Sequence, residues 1–137
     1  MNTTTQTGNV TRDPELKFLQ NGQASARLSI AVNRRWQNKQ TQEWEEKVSY
    51  FDIQAYGALA ENVANSVTRG TRITVTGQLE QRSWETPEGD KRSVIEIKAE
   101  DVGVSLAYAT AVVTKIEATA NKKSFTPRNA PEEDFAF

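Results

Sequence analysis

No cysteine and no histidine occur among the 137 residues of this chain. The first absence excludes disulfides and thiolate metal sites. The second removes the usual general base of enzyme catalysis and the commonest metal ligand. No apolar run approaches the roughly 20 residues that a membrane helix needs. The opening Met1–Gly8 segment has neither the basic nor the apolar region of a signal peptide. Charge of one sign is also missing: 17 Lys and Arg stand against 18 Asp and Glu, for a net charge of −1. Any attraction to nucleic acid must therefore come from local clustering of cations. The chain reads as soluble and intracellular, with the length for one domain and a modest core plus a tail.

What is present is mostly strand. Ala24, Ala26, Leu28, Ile30 and Val32 alternate with Ser25, Arg27, Ser29 and Ala31, the period of a strand with one buried face. Val48–Tyr56 is β-rich with less regular alternation. Arg72–Arg82 alternates again, with Ile73, Val75, Gly77 and Leu79 on one side, and Gly77 in mid-strand predicts a bulge or sharp bend. Lys91–Ala99 is a further strand, joined to the previous one by a turn at Glu85–Asp90 that holds both Pro87 and Gly89. One helix interrupts the pattern: Ala60, Val63, Ala64 and Val67 share a face, and Gly70 is expected to cap its C-terminus. Short bent strands with one helix between the third and fourth describe an all-β, five-stranded Greek-key barrel of the oligonucleotide/oligosaccharide-binding (OB) type. An open β-sandwich is the competing architecture, and it would leave the lone helix without a packing role. Val102–Tyr108 and Ala111–Ala118 offer further strand.

The residues suited to chemistry are aromatic and basic. Trp36 follows Arg34 and Arg35, and Trp84 follows Arg82 by two positions. Rings beside guanidinium groups suit a single-strand platform, where bases stack on the rings and arginines follow the phosphates. The alternative is that both tryptophans are amphipathic covers over the barrel openings. Trp44, flanked by Glu43 and Glu45, reads as a loop or packing aromatic. Tyr50 and Tyr56 are six positions apart and face one side of their strand, either a groove or the interior, with Phe51 opposite. The carboxylates Glu43, Glu45 and Glu46, and Glu85, Glu88 and Asp90, have the composition of Mg²⁺ sites but fall in hairpin loops, where acidic residues are ordinary turn chemistry. With no nucleotide-binding glycine signature either, the chain reads as non-catalytic, without cofactor or metal.

Several segments carry a resemblance. Gly8–Leu16, Asn21-Gly22, Ala55–Ala64, Arg69-Gly70 and Val75–Trp84 resemble the bacterial single-stranded-DNA-binding proteins from about Gly8 to Tyr108. The resemblance resumes at the acidic, phenylalanine-terminated end. Gln42–Glu45 and Ala107–Lys115 resemble the actinobacterial branch. The resemblance implies an OB-fold, a homotetramer, and sequence-independent wrapping of single-stranded DNA in replication, recombination and repair. It puts the stacking aromatics at Trp36, Tyr50, Tyr56 and Trp84. The phosphate-pairing cations fall at Arg69 and Arg82, with Arg34 and Arg35 at the corresponding strand end; near-neutral net charge requires these cations to cluster on one face. In the actinobacterial branch an added C-terminal strand clasps a neighbouring subunit, which places that clasp at Ala111–Glu117. Departures are visible too: the family's first strand is usually apolar, whereas Thr3–Thr7 is polar here.

The expected organisation is thus an OB domain over residues 1–110, an extra strand over 111–120, and a linker with acidic tail over 121–137. In the tail, Glu132, Glu133 and Asp134 precede Phe135 and the terminal Phe137. Carboxylates followed by an apolar ring suit capture by a basic, pocketed partner protein. About 15 flexible residues would reach roughly 20 Å. The implied setting is cytoplasmic and nucleoid-associated, with no membrane partner. Other readings of the same fold are a replisome adaptor and an RNA-binding module, since nothing in the residues separates ribose from deoxyribose.

Overall fold

The structure, a computed structural model, describes residues 1–116. Six strands and one helix follow in the order β1 (Thr4–Val10), β2 (Glu15–Phe18), β3 (Ala24–Gln37), β4 (Trp44–Tyr56), α1 (Ala58–Ser66), β5 (Arg72–Glu85) and β6 (Lys91–Val104). Five of them close a barrel in the order β1-β5-β6-β4-β3, and β3 returns to β1 through Asn9 opposite Ala31 and Val10 opposite Ile30. The β4–β6 pairing is parallel and the others are antiparallel. The expected five-stranded barrel with one helix is therefore the architecture found. The short, exposed β2 is an addition: among the described residues it pairs only with β3, beyond the stretch that β1 occupies.

The alternating residues do what their period predicts. Leu28 and Ile30 from β3, Ile53 from β4, Ile73 and Val75 from β5 and Ile97 from β6 form the buried core. Val10 joins them from β1, with Val63 and Val67 at the helix end. Full burial of each such side chain stabilises by about 1.5–3 kcal/mol. The helix lies close to the sheet because Ala24, Ala26, Ala55 and Ala60 are all small and buried where it packs.

The polar first strand forms without apolar residues at its start. Thr5 bonds Thr76 at 3.1 Å and Thr7 bonds Thr74 at 2.8 Å across the β1–β5 ladder, so hydroxyl pairs replace the missing apolar contacts. Gly77 meets its expectation: the β5–β6 register shifts between Thr76 and Gly77, and a Cβ at Gly77 would collide with the Lys98 carbonyl. Gly70 does not cap the helix as expected. α1 ends at Ser66 because Val67 turns extended, its N–H still bonding the Val63 carbonyl. Gly70, at φ 91°, instead serves the turn into β5, where its N–H bonds the Val10 carbonyl.

Two hairpins run past the barrel as arms. β3 and β4 stay paired out to Gln37 opposite Trp44, and β5 and β6 out to Glu85 opposite Lys91. The second hairpin closes through the predicted Glu85–Asp90 turn, with Thr86 and Asp90 hydrogen-bonded and Gly89 at φ 92°. The segment 105–116 carries no strand, and the expected extra strand finds no pairing within this chain over those residues. The remaining part of that expectation, and the tail residues Glu132, Glu133, Asp134, Phe135 and Phe137, lie outside the described residues.

Candidate nucleic-acid interface

Strand alternation assigns each candidate to a face. Along β4, Ile53 points into the barrel, so Tyr50, Asp52, Gln54 and Tyr56 point outward. In β6, Ile97 points in, so Glu96 and Lys98 point outward beside Asp52 and Gln54. The β5–β6 register then adds Arg82, opposite Val94, and Trp84, opposite Arg92, to the same outer face. Tyr50 is 68% exposed, Trp84 44% and Tyr56 37%, which settles the sequence alternative for the tyrosines in favour of the surface. Phe51 faces inward and packs against the core, as the parity required.

This face carries cations beside its rings, with the carboxylates Asp52 and Glu80 also on it by register. The Lys98 ammonium lies 5.9 Å from the Tyr56 ring centre, and the Arg82 guanidinium lies 5.0 Å from that of Trp84. Under them sits Glu96, only 8% exposed, whose Oε2 accepts hydrogen bonds from both Arg82 at 3.1 Å and Arg27 at 3.3 Å. A nearly buried carboxylate needs such partners to offset its lost hydration. The trio still carries one net positive charge, and among the described residues each arginine commits one of its five donors to Glu96. A recess of about 400 Å³ lies at the tip of the β5–β6 arm, with Gln81, Trp84, Lys91 and Arg92 among its lining residues.

The four expected arginines do not share one face. Arg34 and Arg35 are consecutive residues of one strand, and consecutive side chains of a strand point to opposite sides. Arg34 turns with Trp36 to the side continuous with the barrel interior, stacking at 5.2 Å from its ring centre. Arg35 turns to the outer side with Trp44, at 5.0 Å. Arg69 lies in the turn after α1, where its backbone N–H bonds Asp13. Arg72 and Arg82 are ten residues apart on β5, about 33 Å along the strand, so Arg69 belongs to the far end of the barrel. Among the stacking candidates, Tyr50, Tyr56 and Trp84 are together and Trp36 lies on the reverse of the β3–β4 arm.

Neither tryptophan covers a barrel opening; both stand on arms beyond the core. Trp44, expected in a loop or packed, begins β4 and is 60% exposed. Lys98, Arg27, Arg92 and Glu96 are not among the expected site residues. The alternation of Ile95 and Ile97 with Glu96 and Lys98 marks an outer face, and that was the available signal. Among the described residues no group of three or more acidic side chains is placed to hold a metal ion, and no helix is long and apolar enough to cross a membrane.

Known proteins resemble this chain in sequence and in fold. The single-strand binding protein family matches residues 1–105. The chain is 46% identical over 114 residues to the single-stranded DNA-binding protein of Mycolicibacterium smegmatis, covering 82% of this chain and 69% of that one. For the Mycobacterium tuberculosis protein the identity is 47% over 114 residues, covering 82% and 70%. For that of Paenarthrobacter nicotinovorans it is 41% over 123 residues, covering 89% and 72%. Among solved structures, the Plasmodium falciparum SSB in complex with ssDNA superposes with a TM-score of 0.72 at 25% identity, over 77% of this chain and 95% of that one. All three of these sequence relatives are actinobacterial, as the resemblance implied. The chain belongs to the single-strand binding protein family.

Proposed function

We propose that this protein coats single-stranded DNA without regard to sequence, and that it does so as a homotetramer serving replication, recombination and repair. The observation that carries the reading is the outer face of β4, β6 and β5, where Tyr50, Tyr56 and Trp84 stand exposed among Lys98, Arg82 and Arg92. Exposed rings stack bases of any identity, because every base has a π-face, and neighbouring cations follow the phosphates. Trp36 with Arg34 takes up the strand where it passes around the β3–β4 arm, Arg35 meets it on the other side, and Arg69 engages it at the far end of the barrel. The exposure of the tyrosines favours coating over the adaptor reading, which has no use for an open aromatic face.

Partner proteins are recruited through Glu132, Glu133, Asp134, Phe135 and Phe137. Ala111–Glu117 clasps a neighbouring subunit; the exposed Leu106, Val112, Val113 and Ile116 support this, since they form an apolar segment left open to solvent among the described residues. The setting is the nucleoid. A competition experiment tests the coating function: unlabelled oligo-dT and mixed-sequence single strands should displace a labelled strand equally, and duplex should not. Equal displacement by duplex rejects the reading, and stronger displacement by oligo-rU would move it to RNA.

A further inference from the structure

We propose that Trp44 and Arg35 form an additional nucleotide-stacking site, the outermost of three rings along one face of β4. The inference rests on the single-strand-binding reading above and extends it to a residue pair outside the expected set. Trp44, Tyr50 and Tyr56 are separated by six residues each, so alternation places all three on the outer face, about 20 Å apart along the strand. Trp44 is the second most exposed of them, after Tyr50.

Of the two carboxylates that flank Trp44 in sequence, the fold turns Glu45 away from the ring. Glu45 points to the opposite face, and its Oε2 accepts a hydrogen bond from the Asn38 side-chain amide at 2.7 Å. Glu46 shares the Trp44 face and stands opposite Arg35 in the ladder, whose guanidinium lies over the Trp44 ring. The backbone that carries the ring is also held. Gln37 opposite Trp44 is the last pair of the ladder, and the Asn38 N–H bonds the Glu43 carbonyl at 2.7 Å immediately beyond it. The Asn38 side-chain oxygen accepts from the Gln40 and Thr41 N–H groups, bracing the loop. Arg35 lies over the ring at 5.0 Å and supplies a cation for the phosphate next to a stacked base. With Trp36 and Arg34 on the reverse, the arm offers a ring-and-guanidinium pair on each side, so one strand of DNA has a foothold on either face.

The test uses the full chain with Trp36→Phe and Trp84→Phe, which leaves Trp44 as the sole tryptophan of three. Fluorescently labelled poly-dT reports binding by anisotropy while Trp44 emission is followed in the same titration. The expected result is quenching of Trp44 along the anisotropy curve. In an otherwise unaltered chain, Trp44→Ala should weaken poly-dT binding about five-fold or more, with the thermal midpoint unchanged because the side chain is outside the core. An anisotropy rise with constant Trp44 emission overturns the inference and leaves the coating function standing, as does unchanged affinity in Trp44→Ala. Absence of any poly-dT binding by the unaltered chain removes both.

Discussion

Replacing Glu96 with glutamine should move stability and DNA affinity in opposite directions. The carboxylate is nearly buried, but Arg27 and Arg82 are 43% and 47% exposed, so both can turn to water once it is neutral. A fully buried broken pair costs several kcal/mol. Discounting for this exposure leaves about 0.5–1 kcal/mol per bridge, or about 1–2 kcal/mol for the two. For a domain of this size that lowers the thermal midpoint by about 3–8 °C. Affinity should rise instead, because a negative charge has left the face that meets phosphates. A carboxylate and a phosphate separated by one guanidinium, about 7 Å, repel by about 0.6 kcal/mol at the dielectric of water. Removing that repulsion tightens binding about threefold at low salt, with the effect fading as salt screens it. Calorimetry and oligo-dT titration of Glu96→Gln against the unaltered chain decide the matter. A fall in both quantities would mean that the carboxylate aims the arginines at DNA, and the repulsion argument would be refuted.

Other consequences follow from the same geometry. Tyr56→Ala should weaken oligo-dT binding by about 1–3 kcal/mol while Tyr56→Phe holds it; equal loss in both would point to the hydroxyl rather than the ring. Gly77→Ala should destabilise by about 1–3 kcal/mol through the collision with the Lys98 carbonyl, measured by urea denaturation. If the tail's carboxylates compete with DNA for the same cations, deleting residues 131–137 should tighten binding modestly at low salt; unchanged binding there removes that competition. Deleting residues 111–137 should weaken the proposed tetramer more than deleting the tail alone, read by sedimentation, and equal stability would remove the clasp.

Legibility in the sequence followed burial. Ala24–Val32 and Arg72–Leu79 were plain because one face of each strand enters the core, which forces period two on the residues. The arms were not, since beyond the barrel both faces meet water and the alternation dissolves: every residue of Asn33–Gln37 and of Trp44–Val48 is exposed. The same loss misled the reading of Arg34 and Arg35. They look like one basic cluster until the strand is seen to continue through them. The candidate rings at Tyr50, Tyr56 and Trp84 were found from residue type and family resemblance. Their common face required the parallel pairing of β4 with β6, a contact between residues some 44 positions apart, such as Ile53 and Ile97. Glu96 illustrates the remaining gap, because a lone glutamate between two isoleucines looks solvated, and only the assembled sheet brings Arg27 and Arg82 to it.

The most direct test of the account is the slope of log K against log[salt] for oligo-dT, followed through tryptophan emission. Stacking with phosphate pairing predicts strong quenching and a slope of about −0.7 for each phosphate contacted. Binding without quenching, or an affinity flat in salt, would contradict it.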